Sequence, residues 1–234
     1  QFPGAVYELG VHIADVSYFV RTKTALDDEA RQRGNSSYLP RKVIPMLPEL
    51  LSNGVCSLQE GVNRNAKSAF MYYDNGGNVV GQRFGSSVIR SRKRMTYLEA
   101  QALIDGDLRE ARRHAKTEPH YPSEVIQLVK RMDELARLIR KRRFRDGMIV
   151  LELPEVELIY DDSGRVTDAE PEDDAFTHKI IEAFMVEANE AVARLFDNMD
   201  VPMIRRIHPD PDALDFGDLR SFARVAGFNI PAHP

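Results

Sequence analysis

Cysteine and tryptophan are almost missing from this chain: its 234 residues hold one Cys, Cys56, and no Trp. A single thiol excludes an intramolecular disulfide partner and the small disulfide-stapled scaffolds, and it fits a reducing compartment, so a cytoplasmic location is expected. Excess positive charge is missing as well. With a net charge of −4 the global field does not attract a polyanion, and nucleic-acid binding would have to rest on local basic patches. No apolar run approaches the roughly 18 residues of a membrane-spanning helix, and Gln1-Phe2-Pro3-Gly4 lacks a signal-peptide pattern. Nothing points to a membrane. Repeats, low-complexity stretches and a linker are lacking too. What remains is a chain that is 43% hydrophobic, enough for a sizeable core.

Along the chain, Tyr7, Leu9, Val11 and Ile13 alternate with smaller or polar residues, the period of a strand. Tyr18-Phe19-Val20 extends that strand or starts its neighbour. Thr24 caps a helix that Gly34 stops. Residues 66–73 and 79–90 read as two strands joined by Asp74-Asn75-Gly76-Gly77, a strong hairpin signal. Thr96 and Glu99 form a capping box for a short helix ending near Gly106. Residues 109–122 are polar and read as irregular. Ser123 then caps a long amphipathic helix with a stripe from Val125 to Ile139. Its end, residues 137–145, is a basic run read as a solvated helix terminus. Residues 149–153 and 155–160 read as strands, with Asp161-Asp162-Ser163-Gly164 turning into residues 165–169. A second long helix, about 174–198, is expected to bury Ile180, Ile181, Phe184, Ala188, Ala191, Val192 and Leu195. A short strand over 203–207 and a helix over 211–225 follow. Hairpins mixed with long helices give an α+β class, with a mixed, largely antiparallel sheet packed against amphipathic helices.

Residues 34–64 stand apart, because they repeat at neither 3.6 nor 2 and carry Pro40, Pro45 and Pro48. The prolines stiffen an extended backbone, and Pro48 is placed to open one short helical turn. Long ordered segments of this kind are often functional. Tyr38 on such a brace, rimmed by Arg33, Arg41, Lys42 and Arg64, suits stacking on a base with cations for the phosphates. The other reading is a core tyrosine. Farther on, His178, Glu182, Met185 and Asn189 stand at i, i+4, i+7 and i+11 and form a semi-polar seam. A His and a Glu four apart can ligate a metal, and a solvated helix edge is the alternative. His12 and Asp15 fall on opposite sides of a regular strand, which favours a structural role for His12. The run 90–94 is a candidate for phosphate contact, whereas the acidic stretch 161–174 lacks calcium-ligand spacing.

Several of these stretches, in this order, carry a resemblance: His12-Ile13-Ala14-Asp15-Val16-Ser17, Tyr38-Leu39-Pro40, Ile44-Pro45-Met46-Leu47-Pro48, Leu51-Ser52-Asn53-Gly54, Cys56-Ser57-Leu58, Ser87-Val88-Ile89-Arg90-Ser91 with Met95-Thr96-Tyr97, Ile181-Glu182-Ala183-Phe184-Met185 through Ala188-Asn189-Glu190-Ala191, and Arg206-Ile207-His208-Pro209. Together they resemble the catalytic RNB domain of the ribonuclease II / ribonuclease R exoribonucleases. The resemblance covers nearly the whole chain and the middle of the family's domain. It implies a processive, Mg2+-dependent 3′-to-5′ hydrolase that takes single-stranded RNA by its 3′ end and releases nucleoside 5′-monophosphates. It also implies that Tyr38 stacks on the last nucleotides, that Arg41 and Arg90 meet phosphate, and that Glu182 and Asn189 border the RNA cavity. Asp15 either closes a turn or stands behind the metal.

Three departures accompany it. Where the family usually has a second glutamate, this chain has Ala183. The aspartates that hold the family's metal precede the first strand, and Gln1-Phe2-Pro3-Gly4 has none, so no catalytic residue and no metal ligand is assigned in this chain. The later serine-proline-isoleucine-arginine motif and the flanking RNA-binding barrels have no counterpart. A chain that opens at Gln1 is expected to be a fragment or a processed product. Residues 1–234 therefore read as one partial RNB-like domain, inactive alone; the alternative is a complete, non-catalytic relative that binds RNA or a protein partner.

Overall fold

The alternation at the start of the chain becomes strand β1 (Tyr7–Ala14) in the structure, a computed structural model that describes residues 2–39, 42–150, 156–161, 163–171, 173–205, 207 and 213–231. β4 (Asn63–Tyr73) lies between β1 and β5 (Val79–Arg90) in an antiparallel sheet of order β1-β4-β5. The register sets Tyr7 opposite Tyr73, Leu9 opposite Met71 and Val11 opposite Ala69. Because side chains alternate, these six share one face. That face packs on two helices, α5 (Ser123–Arg145) and α6 (Phe176–Asn198). Leu135, Ala136 and Ile139 of α5 and Ile180, Ala183, Phe184, Ala188 and Ala191 of α6 complete the core. Each large apolar side chain buried there contributes about 1.5–3 kcal/mol. Mixed helices and antiparallel strands make the fold α+β, as expected. The chain divides into two compact units, Gln1–Leu195 and Phe196–Pro234; the sheet and this core lie in the first.

The β4–β5 turn is built as its sequence suggests. Asp74 accepts hydrogen bonds from the amides of Gly76 and Asn78 at 2.8 and 2.9 Å. Gly77 has φ +76°, and a Cβ there would sit 3.0 Å from the Leu138 carbonyl, so glycine is required twice. Arg142 Nη1 donates to the Gly77 carbonyl at 2.7 Å and pins the turn to α5.

Several expectations are corrected. Residues 16–19 form α1 (Val16–Phe19) instead of more strand, because the chain leaves the sheet at Asp15, whose amide is the last bonded across to Asn65. Helix α2 (Ala25–Arg33) has the expected Thr24 cap and Gly34 stop. β2 (Ser37–Leu39) pairs antiparallel with β3 (Lys42–Ile44) inside the segment read as non-repeating, and Pro40 and Arg41 between them lie outside the described residues. Leu50–Val55 is a wide helical turn, and the Pro48 carbonyl accepts from Leu51 and Ser52, so Pro48 opens helix as expected. α3 (Tyr97–Asp105) has its capping box. A second helix, α4 (Leu108–His114), replaces the irregular reading: Asp107 Oδ1 takes the amides of Arg109 and Glu110, both at 2.9 Å. Ser123 is the first residue of α5 and not its cap, since the Pro122 carbonyl already accepts from Val125 and Ile126. Residues 149 and 150 are not strand, and 151–155 lie outside the described residues. β6 (Val156–Tyr160) and β7 (Val166–Pro171) form the expected hairpin. In the second unit, residues 203–205 and 207 carry no strand, Arg206 lies outside the description, and α7 spans Ala213–Val225.

The basic end of α5 is the largest correction. Arg142 and Arg143 turn inward instead of outward. Arg142 Nη2 lies 2.5 Å from Glu187 Oε1, and Arg143 Nη2 and Nε lie 2.5 and 2.9 Å from the same oxygen. Tyr73 Oη donates to the other oxygen at 3.0 Å. The Glu187 side chain is 1% exposed. Burial, reinforced by the Glu187 charge, pushes the Tyr73 hydroxyl far above its usual range, so it stays a donor. Ile181 is 40% exposed, because the buried stripe of α6 runs through 180, 184, 187–188 and 191.

A second network joins three distant segments. Glu60 Oε2 accepts from the Arg94 amide at 2.8 Å and the Thr117 hydroxyl at 3.1 Å. Lys93 Nζ donates to the Thr117 hydroxyl and the Glu118 carbonyl, each at 2.6 Å, and lies 3.5 Å from Glu60. The Arg94 amide, above all, holds the Glu60 carboxyl below its ordinary range, against the opposing effect of burial.

Glu187→Ala leaves Arg142 without a counter-ion and Arg143 with only Glu190, 2.9 Å away, and is expected to cost about 3 kcal/mol in urea unfolding. A loss under about 1 kcal/mol would mean that the arginines simply return to water. For Glu60 the folded pKa lies below the unfolded one, so its stabilisation is complete above the unfolded carboxylate range and fades as pH falls through the folded value. Glu60→Gln should therefore melt below the parent at pH 7, and the gap should close on acidification. A gap independent of pH would refute the assignment.

Candidate functional site

Tyr38 sits on the β2–β3 hairpin, pairs across to Val43, and is 79% exposed. Leu39, Val43 and Ile44 around it are also exposed, so the core reading of Tyr38 is wrong: the ring is presented to solvent on an ordered hairpin. The hairpin is braced from behind. Arg33 Nη1 donates to the Pro45 carbonyl at 3.2 Å, and the Ser36 hydroxyl accepts from the Met46 amide at 2.9 Å. Arg64 donates to the Ser57 carbonyl at 2.8 Å and to Gln59 at 3.0 Å. Two of the four cations expected to rim Tyr38 thus hold the segment itself. Arg41 lies outside the described residues, and Lys42 is exposed on β3.

Arg90 ends β5 beside an open groove of about 510 Å³ lined by His12, Leu58, Ile89, Arg90 and Ser91. Its Nε donates to the Gly61 carbonyl at 2.7 Å, which fixes the stem and leaves the terminal nitrogens without a protein partner among the described residues. His12 Nδ1 lies 2.7 Å from Ser68 Oγ, which in turn lies 2.6 Å from Ser87 Oγ. Burial lowers the His12 pKa, so the ring is neutral at pH 7, a structural partner as expected. Asp15 is on the other side of the sheet. It is buried, accepts from the Ser17 hydroxyl at 2.6 Å and pairs with Lys67 at 3.2 Å. The Ser17 hydroxyl first, and then Lys67, hold its carboxyl below the usual range although burial opposes them.

On α6, Glu182 is exposed and reaches only Lys179, at 3.7 Å, and Asn189 is exposed two turns on. His178 is engaged with Asp173 at 2.9 Å and stacks on Tyr97, ring centroids 3.8 Å apart. That stacking, which sequence spacing cannot show, brings the start of α3 to the seam. Ala183 faces the core, so a glutamate at this position would enter the apolar layer instead of the seam. Among the described residues, no hydrogen bond or ion pair links Tyr38, Arg90, Glu182 and Asn189 to one another. No three His, Cys, Asp or Glu side chains of the described residues converge. Asp15 pairs with Lys67 and Glu182 with Lys179, and neither has a second carboxylate beside it among the described residues, so these two side chains do not build a magnesium cage. The arrangement offers an exposed aromatic ring, a fixed guanidinium and a polar helix seam, which are groups that bind and orient.

Residues 2–232 match the RNB domain family. Ribonuclease R of Thermotoga maritima is 38% identical over 100% of this chain and 32% of its own length. Ribonuclease R of Escherichia coli is 36% identical over 97% of this chain and 27% of its own. Among solved structures, Mycoplasma genitalium RNase R in complex with ribose-methylated single-stranded RNA superposes with a TM-score of 0.87 at 28% identity, over 99% of this chain and 35% of that one. Yeast Ssd1, a pseudonuclease, shares the fold at a TM-score of 0.65 and 19% identity, over 96% of this chain and 26% of its own. The chain spans about a third of the length of the curated relatives it matches. Matched from residue 2 to residue 232, and over its whole length by ribonuclease R relatives, the chain belongs to the ribonuclease II/R family of RNB domains.

Proposed function

We propose that the protein is a 3′-to-5′ exoribonuclease that hydrolyses single-stranded RNA to nucleoside 5′-monophosphates, and that residues 1–234 form part of one catalytic RNB domain. The observation that carries this reading is the collinear match to ribonuclease R relatives across the whole chain, together with the 0.87 likeness to an RNase R holding single-stranded RNA. In this reading Tyr38 stacks on a terminal base, Arg90 and Arg41 meet phosphates, and Glu182 and Asn189 border the path of the RNA end. Asp15, clamped by Lys67 and Ser17, sets the exit of β1 behind that path. Mg2+ is the cofactor that the family resemblance implies. A cytoplasmic location is part of the same proposal and is compatible with the single thiol.

The test is 5′-labelled single-stranded RNA incubated with the protein in magnesium or in EDTA, then run on sequencing and native gels. A ladder shortening from the 3′ end only with magnesium supports the exonuclease. For residues 1–234 alone, a retarded band with no shortening fits a partial catalytic domain if a longer chain restores cleavage, and favours a non-catalytic RNA-binding role if it does not. Neither outcome on either gel would leave the likeness as ancestry.

Tyr38→Ala should weaken RNA-end binding by about 1–3 kcal/mol. Its melting temperature should stay unchanged, because the ring is exposed. A lower melting temperature with unchanged RNA affinity would return Tyr38 to a structural role.

A further inference from the structure

Beyond Arg90, the chain does not end its contact with the sheet region at random. Residues 90–94 alternate: Arg90, Arg92 and Arg94 are exposed, whereas the Lys93 side chain between them is 4% exposed. The backbone that carries this alternation is held at each step. The Ser91 carbonyl accepts from the Gly61 amide at 2.8 Å, the Arg94 amide donates to Glu60 at 2.8 Å, and the Arg94 carbonyl lies 3.3 Å from the Thr117 hydroxyl. Buried Lys93 is the anchor, with its ammonium on Thr117, Glu118 and Glu60. The backbone bends at Arg92, just past the end of β5, so the three exposed guanidinium groups follow a curved row on a strip that these hydrogen bonds fix.

The row is unneutralised. Among the described residues none of Arg90, Arg92 and Arg94 forms an ion pair; of the two glutamates at the anchor, Glu60 is already engaged with Lys93, Thr117 and the Arg94 amide, and Glu118 contributes its carbonyl to Lys93. The Thr117 contact also brings the end of α4 alongside, where Arg112 and Lys116 are exposed and Arg113 pairs only with Glu110. This is a local positive surface on a chain whose net charge is −4. Arginine forks on a rigid backbone are suited to phosphate oxygens, and a row of them suits a chain of phosphates more than a single anion.

We infer that Arg92 and Arg94 continue from Arg90 as a phosphate track for single-stranded RNA outside the end-binding site, held in register by the buried Lys93–Glu60–Thr117 anchor. The inference rests on the RNA reading given under Proposed function. Its role is to hold the RNA body while the 3′ end is bound elsewhere.

Fluorescence anisotropy with a labelled polyuridylate of about 20 nucleotides, titrated between about 50 and 200 mM KCl, tests it. For Arg92→Ala/Arg94→Ala, the slope of log affinity against log salt should fall by about 1.4, two contacts at about 0.7 each for single strands. Arg92→Lys/Arg94→Lys should keep most of the slope, and Lys130→Ala/Lys141→Ala, an exposed pair on α5, should keep all of it. An unchanged slope in the alanine pair, or an equal fall in the α5 pair, would overturn the track while leaving the RNA reading intact. No RNA binding by the parent protein would overturn both. Matching circular-dichroism melts show that the exposed double variant is folded.

Discussion

Glu187 carries a charge in the apolar layer between α5, α6 and the sheet, and the arrangement of all three depends on how that charge is satisfied. Its carboxylate takes the Tyr73 hydroxyl from β4 and two guanidinium groups from the last turn of α5. An ion placed so deeply is costly unless each oxygen is occupied, and that requirement is directional where hydrophobic burial is not. The apolar stripe of α6 could slide or roll on the sheet at modest cost. The three donors allow one rotation and one register. Since Glu182 and Asn189 lie on the same helix, that rotation also decides that they face outward.

Arginine serves two opposed purposes in this fold. Arg33, Arg64, Arg142 and Arg143 point their forks at backbone carbonyls or a buried carboxylate and act as struts for loops that have few apolar contacts of their own. Arg90 is intermediate, with one nitrogen engaged and two presented. Counting cations therefore says little about nucleic-acid binding. What matters is which donors the protein's own acceptors leave over.

Local signals were legible in the sequence and long-range ones were not. Strand alternation in β1, the Thr24 cap, the Thr96–Glu99 box and the Asp74–Gly77 turn each depend on residues within about four positions. The α4 cap at Asp107 was also local, but it follows a glycine stop by one residue, and the polar run after it masks a one-face helix with a single buried residue, Ala111. The burial of Arg142, Arg143 and Lys93 could not be read, because their partners lie 44, 45, 65, 24 and 25 positions away. The motif resemblance identified the family, and it pointed to Tyr38 and Arg90, both of which the fold presents to solvent. It could not show that Tyr97 stacks on His178, which only the packing of α3 beside α6 creates.

The seat of Gly77 against the Leu138 backbone has a further consequence, for how the sequence can change in length. Hairpin tips are ordinarily where chains tolerate added residues, because the loop hangs in water. Here the tip is wedged under a helix backbone at the distance of contact, with the Arg142 fork closing it from the side. Asn75 and Gly76 stay open to water, but Gly77 has no room beside the α5 backbone, so residues added on the Gly77 side of the turn would push into α5. The two ends of one short turn thus differ in what they accept: added length is tolerated at Asn75 and Gly76 and resisted at Gly77.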